Sequence, residues 1–114
     1  MKRPGDVVII NMSRSTSGQP RPRPVLLLRE ITSSSGDWLA CMISARFEFL
    51  SDEMFERIDL ASQDYFISGL LGASAIRYTR LAVISDKMMT GKIGEISADR
   101  LMRIRIQLGN WLKD

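Results

Sequence analysis

Asp6-Val7-Val8-Ile9-Ile10, Ser13-Arg14-Ser15-Thr16-Ser17-Gly18-Gln19-Pro20-Arg21-Pro22-Arg23-Pro24 and Val25-Leu26-Leu27-Leu28 follow one another near the start of the chain. They read as a strand, a polar loop loaded with arginine, and a second strand. Two strands are normally joined by a few residues, and unstructured loops near a dozen residues are uncommon in compact domains unless they carry function or are disordered. The alternating prolines stiffen the loop's exit, so Arg21 and Arg23 reach a ligand with less chain entropy left to lose. That arrangement suits a phosphate. The plainer reading is a solvated loop whose prolines only discourage pairing at a strand edge.

Working outward, Ser33-Ser34-Ser35-Gly36-Asp37 marks a turn, and Trp38-Leu39-Ala40-Cys41-Met42-Ile43 is a third, buried strand ending at Ser44-Ala45-Arg46. Residues 47–58 stay open between a helical turn capped by Ser51 and the strand-like alternation Phe47-Glu48-Phe49. Arg57-Ile58-Asp59-Leu60 suggests a short edge strand. Ser62 then begins a brief helix to about Ser68, with Gly69 as its left-handed stop. Ser74-Ala75-Ile76-Arg77-Tyr78 alternates as a strand with Ala75 and Arg77 on one face, and Lys92-Ile93-Gly94-Glu95-Ile96 is a last strand. Ser97 caps a terminal helix whose Leu101, Ile104, Leu108 and Trp111 form an apolar stripe expected to be core. Met102 and Ile106 flank that stripe as wider core or a subunit contact. Short strands followed by one helix predict an α+β protein with a small, strongly bent, barrel-like sheet.

The 114 residues fit one domain, residues 1–114, with 45% apolar and 25% charged residues. No apolar run approaches the roughly 18 residues of a membrane span, and Met1-Lys2-Arg3 leads into Pro4-Gly5-Asp6 rather than a signal core, so no membrane association and a cytoplasmic location are expected. Cys41 has no partner for an internal disulfide and is expected to be a small buried strand residue. The absence of histidine removes the commonest general acid–base, the Ser-His and Cys-His nucleophile pairs, and the usual zinc chemistry. No Walker or Rossmann glycine loop is present. Asp52, Glu53, Glu56 and Asp59 read as a solvated acidic face, and no metal or cofactor is expected. A net charge of +3 leans towards anionic partners.

What remains is arginine with hydroxyl groups: Arg14, Arg21, Arg23, Ser44 and Arg77. A guanidinium fork matches phosphate oxygens bidentately and stabilises charge growing on a phosphoryl group. Unaided, this points to phosphate or nucleic-acid binding.

The order of motifs resembles the MazF/PemK family of toxin–antitoxin endoribonucleases. The matching pieces are Pro4-Gly5-Asp6-Val7-Val8-Ile9, Arg23-Pro24-Val25-Leu26-Leu27, Met42-Ile43-Ser44, Gly69-Leu70-Leu71, Ser74-Ala75-Ile76-Arg77 and Lys92-Ile93-Gly94-Glu95-Ile96-Ser97, followed by an Arg/Leu-rich helix. The resemblance implies an SH3-like β-barrel with a C-terminal helix, of the kind shared with CcdB. It also implies a homodimer that cleaves single-stranded RNA without metal and is held inactive by a cognate antitoxin.

In that family the arginine before the proline and the Thr or Ser ending the buried strand form the active centre, here Arg23 and Ser44. Arg14, Gln19, Arg21, Arg77 and Tyr78 are the accompanying candidates for RNA binding, Tyr78 by stacking a base beside the basic strand. Some members carry a carboxylate two residues after the strand arginine, where this chain has Thr79. The proton acceptor is therefore unassigned. The competing classes are a non-catalytic protein-binding barrel like the CcdB gyrase poisons and a plain nucleic-acid binder.

Overall fold

The computed structural model describes residues 1–13, 20–48 and 54–114. Among them are β1 (Asp6–Ser13), β2 (Pro20–Glu30), β3 (Asp37–Ser44), β4 (Glu56–Ile58), α1 (Tyr65–Ser68), β5 (Ser74–Ser85), β6 (Met89–Glu95) and α2 (Ala98–Lys113). The strands form one six-stranded sheet in the order β4-β5-β3-β2-β1-β6, every pairing antiparallel. The α+β class and the terminal helix are as expected. The hydrogen-bonded ladder is open, ending at β4 and β6, although β5 and β6 are joined by only the 3-10 turn Asp86–Met88, which draws the two ends of the sheet towards each other.

Alternation sorts the strands onto two faces. Val7, Leu26, Leu28, Cys41, Ile43, Ile76 and Tyr78 point to the face that meets Ile104 and Leu108 of α2. Val8, Ile10, Val25, Leu27, Trp38, Ala40 and Ile84 form a second core on the opposite face. Cys41 is fully buried, and that burial pushes its thiol up to about 12, so it is an inert core residue.

The arginine loop is shorter than its polarity suggests. Instead of a loop from Ser13 to Pro24, β1 and β2 stay paired out to Ser13↔Pro20, through Ile10↔Arg23 and Met12↔Arg21. The reason lies in the prolines. Pro20, Pro22 and Pro24 alternate, so their missing N–H groups can all face away from β1 while Arg21, Arg23 and Val25 carry the ladder. On the proline side the pairing of β3 stops at Val25↔Met42. Residues 20–24 thus pair with β1 alone, as an arm whose outer part, residues 20–22 with 11–13, is two-stranded because β6 follows β1 only to Ile10↔Met89. Arg14 and Gln19 lie outside the described residues.

Other boundaries shift for local reasons. β4 is Glu56–Ile58 rather than 57–60, because Asp59 starts a turn: its Oδ1 accepts from Ala61 N at 2.9 Å, and its carbonyl accepts from Ser62 N at 2.8 Å. β5 runs to Ser85, well past Tyr78. Ser97 caps α2 as expected, its Oγ accepting from Arg100 N at 3.1 Å. Trp111, expected in the core, is instead 43% exposed, along with the rest of the last turn.

Gly69 is the left-handed stop of α1, at φ +73°. It also lies so close to β6 that a Cβ would sit 2.1 Å from the carbonyl oxygen of Ile93. On β6, a Cβ at Gly94 would meet the Ile67 and Ser68 carbonyl oxygens at 2.3 Å. Two glycines therefore let the α1 turn rest directly on the β6 backbone. No helix among the described residues is long and apolar enough to cross a membrane.

Candidate nucleic-acid interface

Strand register places four of the candidate residues on one face. Val8, Val25, Met42 and Arg77 lie in one row across β1, β2, β3 and β5, because Val8 pairs with Val25, Val25 with Met42 and Met42 with Arg77. Directly paired residues share a face, so Arg77 projects from the same side as this row. Two residues further along, Arg23 on β2 and Ser44 on β3 occupy the same face beyond Val25 and Met42, with Arg21 one step outward again. Arg23 pairs with the fully buried Ile10 and is itself half-buried, while Arg21 is exposed. Three guanidinium groups and one hydroxyl are thus gathered at one end of one sheet face. Thr79 is half-buried on the same strand as Arg77.

The Ser44 hydroxyl is already engaged. It donates to the carbonyl of Arg46 at 2.8 Å and accepts from Arg46 N at 3.2 Å, closing a turn at the end of β3. Its second lone pair remains as an acceptor.

Tyr78 must be corrected. It is 4% exposed in the core on the opposite face, packed with Ile76 and Ile104, so its ring offers no surface for a base. Alternation one residue beyond Arg77 turns it inward.

Beside the arm lies a cleft of about 600 Å³, bounded on one side by Pro22, Arg23 and Pro24 and on the other by the segment Gly69–Ser74, with Ile43 and Ile93 in its floor. Of the candidate residues among those described, only Arg23 borders it. Ser44 and Arg77 lie on the other side of the sheet.

The acidic residues are not one solvated face. Glu56 is 9% exposed and Asp64 3%, and both are held by Arg100, itself 7% exposed. Arg100 Nη1 donates to Glu56 Oε1 at 2.8 Å and to the Arg57 carbonyl at 3.1 Å, while Nε and Nη2 grip the two oxygens of Asp64 at 2.8 and 3.1 Å. Arg103 donates to Glu56 at 2.9 Å from both Nε and Nη2. Burial would raise the Asp64 carboxyl, but the Arg100 guanidinium and the Ser97 N–H hold it below the ordinary aspartate range. The Glu56 carboxylate in turn holds the Arg103 guanidinium above its usual value. Asp52 and Glu53 lie outside the described residues. This cluster escaped the sequence reading, yet there was a signal: Arg100 sits in the first turn of α2, where the helix dipole disfavours a cation unless a carboxylate compensates.

The chain belongs to the PemK-like, MazF-like toxins of type II toxin–antitoxin systems, whose family model matches residues 3–112. Toxins of this family are generally endoribonucleases. A MazE–MazF complex from Deinococcus radiodurans is 20% identical with a TM-score of 0.73, over 98% of this chain and 96% of that one. The Mycobacterium tuberculosis toxin MazF-mt6 is 16% identical with a TM-score of 0.68, over 95% and 96% of the two chains. An endoribonuclease in complex with its cognate antitoxin, from a mycobacterial species, is 12% identical with a TM-score of 0.67, over 99% and 96%. At these identities the likeness shows the fold. A search of curated proteins finds no sequence match.

Proposed function

We propose that this chain is a metal-independent endoribonuclease that cuts single-stranded RNA, acting in the cytoplasm as the toxin of a toxin–antitoxin pair. The observation that carries the reading is the placement of Arg23, Ser44 and Arg77 at one end of one sheet face, with Arg21 continuing the line. In the proposed reaction the substrate's 2′-oxygen bonds to the adjacent phosphorus and the bond to the 5′-oxygen breaks. A 2′,3′-cyclic phosphate and a 5′-hydroxyl result, the proton passing from the 2′-hydroxyl to an unassigned acceptor and another reaching the leaving oxygen. Arg23 binds the scissile phosphate and stabilises the charge that grows on it. Arginine stays protonated at any working pH, so its role is electrostatic rather than that of a base. Ser44 orients the phosphate, and Arg21 and Arg77 hold flanking phosphates, with Arg14 and Gln19 extending that line.

The same reading takes residues 1–114 as one domain whose sheet curls as an SH3-like barrel, and the active form as a symmetric homodimer covering exposed apolar side chains such as Met102 and Ile106 of α2. The antitoxin would present an acidic segment that competes with RNA for the arginines. Incubating the purified chain with mixed-sequence RNA in EDTA and mapping the ends tests the chemistry. Light scattering tests the dimer. Intact RNA, or ends bearing 5′-phosphate, would overturn the nuclease assignment.

One observation favours the second reading, a non-catalytic binding barrel. The Ser44 hydroxyl proton is engaged by the Arg46 carbonyl, as it would be if the residue only shaped a turn.

A further inference from the structure

We infer that Arg100 is a positioning residue that fixes both ends of the cleft wall Gly69–Ser74 opposite Arg23. At the first end, Asp64 immediately precedes α1, and Arg100 grips both its carboxylate oxygens. From Asp64 the chain of bonds is unbroken. The Asp64 carbonyl accepts from Ser68 N at 3.1 Å, Ser68 Oγ donates to the Tyr65 carbonyl and accepts from Leu70 N at 3.2 Å, and Gly69 lies against the Ile93 backbone. At the other end, the same guanidinium holds the Glu56 carboxylate and the Arg57 carbonyl on β4. β4 pairs with the start of β5, Ile58 opposite Ser74 and Glu56 opposite Ile76. One planar fork therefore ties down the segment that enters the wall and the strand that receives it. Between these anchors Leu70 is buried in the core and Ser74 Oγ donates to the Gly72 carbonyl at 3.0 Å, while Gly72 itself has open space around it.

The consequence for activity rests on the nuclease reading given above: Arg23 borders the cleft from its place on β2 while its side chain shares the Ser44 face, so a wall held in place guides an RNA strand from the cleft over the unpaired edge of the arm to the guanidinium. Arg100 itself touches no substrate. Lysine cannot replace it, since a single ammonium does not span two carboxylates and a carbonyl in one plane.

The test uses the full chain carrying Arg100→Lys or Glu56→Gln, followed by amide hydrogen exchange and steady-state RNA cleavage. Exchange across Leu70–Ile76 should quicken by roughly tenfold or more, while amides at Val7 and Leu26 keep wild-type protection. KM for RNA should rise by about tenfold with kcat within about threefold, the signature of a lost binding geometry. Unchanged exchange at Leu70–Ile76 in a folded variant, or an even rise over the whole sheet, would overturn the inference. So would a loosened segment with an unchanged KM. If Arg100→Lys does not fold, Glu56→Gln decides for the β4 end alone: with the Asp64 grip in place, quickened exchange at Ser74–Ile76 relative to an Arg103→Gln control supports the inference, and exchange no faster than in that control overturns it. Should the wild-type chain not cut RNA, the nuclease reading fails, and the exchange comparison alone decides whether Arg100 positions the wall.

Discussion

Arg100 and Asp64 meet as a two-pronged ion pair, Nε to Oδ2 at 2.8 Å and Nη2 to Oδ1 at 3.1 Å, joining the first turn of α2 to the residue that precedes α1. Because the Asp64 carboxyl is held below its ordinary value, the folded state binds its proton less readily than the unfolded chain does. Its stabilisation is therefore complete above about pH 3.9, the ordinary aspartate value, and is lost as pH falls through the lowered native value. Asp64→Asn should destabilise the protein by about 2–4 kcal/mol at neutral pH. The difference in melting temperature between wild type and variant should shrink below the ordinary aspartate range. Parallel melting curves across pH 2 to 7 would show that Asp64 contributes no such linkage.

Arg23→Ala should lower RNA cleavage by roughly two orders of magnitude or more, the loss typical of a removed transition-state donor. Its backbone carries the β1 pairing and its side chain does not, so the melting temperature should stay close to wild type. Arg23→Lys should recover little, because a point charge does not reproduce the fork. Cleavage by Arg23→Ala at near wild-type rates would remove it from the site.

Ser44 separates the two readings of the chain. Ser44→Thr keeps a hydroxyl, and under the nuclease reading should retain most cleavage, whereas Ser44→Ala should lose it. Under the turn reading, Ser44→Ala affects melting alone, by about 1 kcal/mol, through the lost bonds to Arg46. Rates and melts of both variants measured side by side distinguish the cases.

Gly94→Ala should be among the most damaging single changes available, because its methyl group would sit 2.3 Å from backbone oxygens of Ile67 and Ser68. A loss of about 2–4 kcal/mol, read by urea denaturation, is expected for a clash that backbone must move to relieve. Gly72→Ala, with open space around its position, should be neutral to within roughly 0.5 kcal/mol and serves as the control. Equal midpoints for the two variants would contradict the close contact between α1 and β6.

Much of the fold was legible because alternation and capping are local. The strand around Trp38–Ile43, the left-handed Gly69 and the Ser97 cap all declare themselves within a few residues. Three features were hidden, each for a non-local reason. The arm from Pro20 to Pro24 reads as loop unless one knows that the prolines face away from their partner strand. Glu56 reads as solvated unless one knows that Arg100, 44 residues away, returns to it. Tyr78 reads as available to RNA until register places its ring under α2. Of the site, the residue types and their order were readable. The sharing of one face by Arg23, Ser44 and Arg77 was not, since it depends on where two separate pairings begin.

The prolines of the arm also govern what can recognise it. An ordinary strand edge beside a cleft is an open template, and any extended polypeptide can dock there by main-chain hydrogen bonds irrespective of its side chains. Here the outward edge from Pro20 to Pro24 has no N–H to give at its alternate positions. The carbonyls on that edge can still accept, but with no N–H to return the bond a visiting strand cannot complete a ladder, so the guanidinium groups and apolar contacts must supply most of the hold.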